Sequence, residues 1–250
     1  MYSVSRTDAR GRSSRALRPS GRLRGKIALI APAFGKACEG VFRHPQIVDL
    51  LPEYLIEIHT IIRSTTPLME AGIARAEAMA PADPVAGGVA AYLRRHVEEE
   101  RFHDKWLLED LELMGMPPAA VLERLPTATV ASLAGAQYYW ALHYHPITLL
   151  GYFAFAEGFP PSGALVEELI ERTGYPRAAF RTFIVHGELD PGHREEIDRT
   201  IDGLPLEPGH EVALGLSAMT TGRLLTKTLV ELVEDVGTAE RPLGQASRRT

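Results

Sequence analysis

The segment His186-Gly187-Glu188-Leu189-Asp190-Pro191-Gly192-His193 sets two imidazoles and a carboxylate at positions i, i+4 and i+7. On a helix, at about 100° per residue, these three side chains share one stripe. A buried polar stripe is costly unless its members pair or bind something, so the pattern points to a ligand; three surface residues are the plainer alternative. A second segment, His96-Val97-Glu98-Glu99-Glu100-Arg101-Phe102-His103, brings positions 96, 100 and 103 to one helical face, with Glu99 beside them. The spacing Glu100-x-x-His103 lets a carboxylate and an imidazole of one helix reach one metal, the device used by ferritin-like carboxylate proteins. Three consecutive glutamates also fit a solvated face. The third feature is Glu157, a lone carboxylate ending the apolar run 150–156. A glutamate there opposes the helix dipole and is costly without a partner, although an exposed helix end is the bland reading.

Together these segments offer His103, His186 and His193 with Glu100, Glu157 and Asp190, enough side chains for two metal ions. A nitrogen and oxygen set without thiolate suits iron or manganese, with zinc a further option. Three protein ligands per ion leave coordination positions open for dioxygen. The only cysteine, Cys38, excludes a disulfide framework and any cysteine-based zinc or iron–sulfur site.

The elements that must position these groups are helical. The chain has 250 residues, 45% hydrophobic and 24% charged, ample for a buried core and ordinary for a globular protein. No apolar run approaches the ~18 residues of a membrane helix. Residues 1–26 carry seven Arg and one Lys against one Asp, a net +7, so the chain's −5 leaves −12 on the rest. An acidic body argues against nucleic-acid binding. Residues 1–26 read as a disordered basic tail, 27–236 as the helical domain and 237–250 as a flexible polar tail. The stretch 27–34 reads as an ordered segment packed on the body, since Pro32 and the long charged lead fit an export signal poorly. Helical periodicity then predicts a helix over 46–69, or to 79 at its longest, one or two helices over 119–142, and single helices over 89–114, 146–157 and 163–172. Two more follow, one started by Pro176 and running over 177–202, and one over 211–234. With no strand alternation and no repeat, the fold class is an all-α bundle of seven or so helices.

At these residues the chain resembles the haem-oxygenase-like di-iron oxidases, also described as iron-containing redox enzymes. The order fits: a carboxylate and a histidine on one core helix, a lone Glu on the next, then His-x3-Asp-x2-His on the third. The likeness covers residues 42–235. It implies a seven-helix haem-oxygenase-like bundle without haem, holding two irons per chain, Fe(II) or Fe(III), with O2 as co-substrate. The implied metal ligands are Glu100, His103, Glu157, His186, Asp190 and His193. One departure concerns the first helix: some members place the carboxylate seven residues before the helix histidine, where this chain has His96. Glu100 is therefore the preferred first-helix carboxylate and His96 the alternative ligand.

The resemblance implies a non-haem di-iron oxidase or oxygenase in specialised biosynthesis. Relatives hydroxylate amine nitrogens, cleave carbon–carbon bonds in amino acids or decarboxylate fatty acids. It also implies a mobile third core helix and a weakly held second iron. Pro191 gives a local reason, since it cannot donate to the Gly187 carbonyl, which weakens a helix interior by ~3 kcal/mol or more. The expected partners are a small-molecule substrate, optionally an external electron donor, and a second copy of the chain in a homodimer. The expected location is cytoplasmic, with no nucleic acid or membrane. The alternatives are a haem-binding protein, or a cofactorless protein of the same fold like thiamine-salvage enzymes or quinone-cofactor synthases. His59 and Arg63, one turn apart, could anchor a substrate carboxylate, but more often form a surface or core pair. Tyr138, Tyr139, Trp140, Phe153 and Phe155 read as core.

Overall fold

The run 148–155 has no charged residue, and a helix apolar on every side must be wrapped by others. That is where it lies. In the computed structural model, which describes residues 17–239, helix α7 (Thr148–Ala156) is buried at every position from Thr148 to Phe155. Around it stand α1 (Pro19–Phe42), α2 (Ile47–Met79), α3 (Pro84–Glu100), α4 (His103–Leu113), α5 (Pro118–Glu123), α6 (Ala128–His143), α8 (Gly163–Thr173), α9 (Arg181–Gly203) and α10 (Pro208–Ala239). A 3-10 turn, Arg177–Phe180, leads into α9. The described residues are all helix, turn and loop, and none of their helices is long and apolar enough to cross a membrane.

Helix α7 packs against α10, α6 and α9, while α2 packs against α3, α4 and α6. Close approach of α7 and α10 depends on Gly151, where a Cβ would collide with the Leu214 carbonyl oxygen. One apolar cluster joins α3, α7 and α10 through Leu93, Leu149, Phe153 and Leu214; a second joins α2, α4 and α8 through Leu51, Leu107 and Leu169. The polar segments singled out above lie on α3, α4, α7 and α9.

Several expectations need correction. Residues 19–26 are not tail but the first two turns of α1; Pro19 sits in the first turn, and Leu23 and Ile27 bury one face. The first sixteen residues and 240–250 lie outside the described residues, and 237–239 continue α10. The single helix expected over 89–114 is two. Phe102, the only non-glycine among the described residues with positive φ (74°), breaks it between Glu100 and His103. Such a backbone costs about 1–2 kcal/mol in a non-glycine residue and persists only where its surroundings enforce it. Pro176 caps the 3-10 turn, and α9 proper starts at Arg181. The added α1, the break at Phe102 and the separation of α5 from α6 bring the helices among the described residues to ten without changing the fold class.

Candidate metal centre

Each polar segment reaches the centre for its own reason. Helix α3 starts on Asp83, whose carboxylate accepts from the N–H groups of Val85 and Ala86, and its last turns carry His96 and Glu100. After the break, α4 opens with His103, which is fully buried. Glu157 is the residue capping α7, so the burial of that helix carries it inside, 9% exposed. On α9, Asp190 and His193 are buried and His186 half-buried. Asp110 of α4 accepts from the Thr182 N–H (2.8 Å) and so pins the start of α9.

These side chains form two adjoining groups. In one, His96, Glu100, Glu157 and His193 each offer an atom within 4.8 Å of the others; in the other, Glu100, His103 and His186 do so. Glu100 belongs to both. Within the first, His96 Nε2 lies 2.9 Å from Glu157 Oε1 and His193 Nδ1 lies 3.7 Å from Glu157 Oε2. In the second, His103 Nδ1 lies 2.9 Å from Glu100 Oε2, and the His103 and His186 rings are 4.8 Å apart. Asp190 stands just outside the first group, its Oδ1 4.0 Å from His193 Nδ1. Sequence spacing set Glu100 and His96 against each other; the fold brings both in.

The residues fit a pair of cations. His103 Nε2, Glu157 Oε2, Asp190 Oδ1 and His193 Nδ1 are buried without a hydrogen-bond partner, a cost that a metal would remove. Burial and then the Glu157 and Glu100 charges push the Asp190 carboxyl up to about 8. Burial alone would lower the His96 imidazole, but the charge and hydrogen bond of Glu157, then Glu100 and Glu99, hold it up at about 9. Three carboxylates thus crowd one buried space, and protons partly neutralise them where cations could. His186 donates Nδ1–H to the Thr182 carbonyl (2.8 Å), which leaves the lone pair on Nε2, the arrangement metal-bound histidines adopt.

A third cluster shows the contrast. Asp83, His145 and His210 also converge. There, however, His145 Nδ1 accepts from the Ile147 N–H (2.9 Å) and His210 Nδ1 from the Glu207 N–H (3.1 Å). Each ring has its one neutral lone pair engaged, so its Nε2 carries the proton; that of His145 donates to Asp83 (3.0 Å). This cluster is a hydrogen-bonded clamp joining the ends of α3, α6 and α10.

A cavity of about 200 Å³ opens onto the centre, reached by Glu100, Glu157, His186 and Asp190 and otherwise walled mainly by apolar groups such as Leu55, Ile58, Ile62, Phe153 and Leu229. Among the described residues, no Lys or Arg lines it. Phe34, Tyr54, Phe159, Pro161 and Phe183 also line an outer recess that carries Glu39, Arg43 and Glu168. His59 is buried, and neither it nor Arg63 lines the cavity, which fits the structural reading of the pair over that of a substrate anchor. Tyr139, expected in the core, is 64% exposed. Sequence reasoning passed over Tyr92, stacked on His96 at 5.2 Å, and Trp106, 4.4 Å from the His103 ring. Their positions four residues before His96 and three after His103 were the available signal.

Comparison with known proteins gives three findings. The model of a family described as iron-containing redox enzyme matches residues 96–221. No curated protein matches the chain. Among solved structures, a domain of unknown function with a haem oxygenase-like fold from Shewanella denitrificans OS217 is similar at 16% identity, with 92% of this chain and 97% of that one covered and a TM-score of 0.72. A TenA homologue from Pseudomonas syringae pv. tomato DC3000 is similar at 12% identity, with 91% and 100% covered and a TM-score of 0.62.

Proposed function

The chain belongs to the iron-containing redox enzyme family, with a haem oxygenase-like fold, and from that premise we propose that it is a non-haem di-iron oxidase or oxygenase acting on a small molecule. The observation that carries this reading is the pair of adjoining buried groups sharing Glu100. His96, Glu157 and His193 would hold one ion and His103 and His186 the other, with Glu100 between them and Asp190 beside the first. Two irons so held supply the electrons and open positions needed to activate O2.

The protein's own residues do the rest. The short contacts of Glu157 with His96 and of Glu100 with His103 fix both carboxylates before any cation arrives. The apolar wall excludes water and selects the substrate. With no cationic side chain in the lining, that wall favours a molecule whose bulk is hydrocarbon, such as a fatty acid, over a free amino acid. Its polar end would face the carboxylate and imidazole cluster, and an external donor would supply reducing electrons. The TenA homologue shares the fold, so the fold alone does not separate this reading from a cofactorless one. The orphaned imidazole and carboxylate atoms do favour metal.

Anaerobic Fe(II) titration followed by O2 with candidate substrates tests the proposal. Two irons per chain are expected in the wild type, with uptake lost at one position in His193→Ala and Glu157→Ala. Absence of uptake in the wild type, or unchanged uptake in both variants, would overturn it.

A further inference from the structure

The three consecutive glutamates divide by direction. Glu98 turns outward and pairs with Arg101 (2.9 Å), while Glu100 turns into the centre. Glu99 lies between, its side chain 46% exposed. A single oxygen of Glu99, Oε2, stands 3.5 Å from His96 Nδ1 and 3.5 Å from His193 Nε2. These are the outer nitrogens of both rings. The inner ones are His96 Nε2, 2.9 Å from Glu157, and His193 Nδ1, 3.7 Å from Glu157 and 4.0 Å from Asp190. The two imidazoles, perpendicular at 5.0 Å, come from different helices and share one outer carboxylate.

A neutral imidazole has one lone pair and one N–H. With no acceptor outside, His96 would keep its N–H on Nε2, where Glu157 accepts it, and that is the nitrogen a cation needs. An outer carboxylate counters that preference: once a cation takes the inner nitrogens, it accepts the N–H left on His96 Nδ1 and His193 Nε2, so the lone pairs face inward. Beyond this 3.5 Å approach of Glu99, His96 Nδ1 is buried without a hydrogen bond. We infer that Glu99 is a positioning residue, the outer hydrogen-bond acceptor shared by His96 and His193, which fixes the tautomer and orientation of both rings toward a divalent first-row cation. This role rests on the reading of those histidines as ligands. Glu99 does not line the cavity.

The probe is Co(II), stable in air at such sites and visible by its d–d absorption and hyperfine-shifted proton resonances. The wild type should bind two Co(II) and show exchangeable N–H resonances from His96 and His193. Glu99→Ala should weaken one of the two sites by about 10–100-fold, the usual effect of losing an outer-shell partner, and lose both N–H signals to solvent exchange. Glu99→Gln, whose amide oxygen still accepts, should fall between, and it serves equally if the alanine variant folds poorly. Glu98→Ala should match the wild type. If the wild type binds two Co(II) and both Glu99 variants bind them equally well with both N–H signals kept, the role of Glu99 is overturned alone. If the wild type binds none, the metal-centre reading falls and this role falls with it.

Discussion

His96 and Asp190 show how much charge the centre concentrates. Both hold protons to unusually high pH, His96 to about 9 and Asp190 to about 8, with neighbouring carboxylates raising both. A folded-state pKa above the unfolded value gives stability that is full below the unfolded pKa and is lost as pH rises through the folded one. For His96 that window runs from about 6.5, and for Asp190 from about 3.9, up to their folded values. The metal-free chain should therefore lose stability from about pH 3.9 up to about 9, most steeply between about 6.5 and 8 where the two windows overlap. Cations compete with these same protons, so their binding should strengthen over that range and release protons. Thermal unfolding with and without Co(II) should show a gap in Tm that widens from pH 6.5 to 9. A constant gap would mean that neither group meets the cation.

At the scale of elements, α9 carries three of the candidate ligands and also Pro191, which the structure keeps inside the helix. The missing N–H leaves the Gly187 carbonyl without its helical partner, next to His186 and one turn from Asp190. Gly187 also packs so closely on the α7–α8 loop that a Cβ would stand 2.8 Å from the Pro161 carbonyl oxygen. The helix is thus weak where its candidate ligands are, and cation binding should order it. Hydrogen exchange over 186–193 should slow on metal loading. Pro191→Ala, which restores the bond, should slow exchange in the metal-free chain and shrink the difference. Equal exchange with and without metal would remove the argument. The break at Phe102 works the other way: it spends about 1–2 kcal/mol of backbone strain to start α4 afresh on His103.

At the scale of the molecule, the centre depends on a helix outside the matched family span of 96–221. Arg24 of α1 donates to the Ala154 carbonyl (2.6 Å) near the end of α7 and pairs with Asp198 of α9 (2.9 Å). It thereby ties the segments bearing Glu157 and His193, although it touches neither side chain's candidate metal atoms. Arg24→Ala should destabilise the fold by about 1–3 kcal/mol, the range for a charged hydrogen bond, and weaken metal uptake without abolishing it. Urea unfolding and Co(II) titration on one preparation measure both. Full stability with full uptake would show that α1 merely covers the site.

The helical class, the nitrogen and oxygen character of the polar cluster and the chain order of the candidate ligands are carried by the sequence alone. These are legible because helical periodicity is local: backbone bonds between residues four apart place 186, 190 and 193 on one stripe whatever surrounds them. Only the tertiary structure decided that Glu157 is buried, because α7 is enclosed by helices distant in sequence. It alone brings His96 and Glu100 into one group. The first lies against Glu157, 61 residues away, and the second sits where a strained Phe102 backbone splits the helix that periodicity reads as continuous. Long-range packing sets those positions, and no spacing within one segment encodes it.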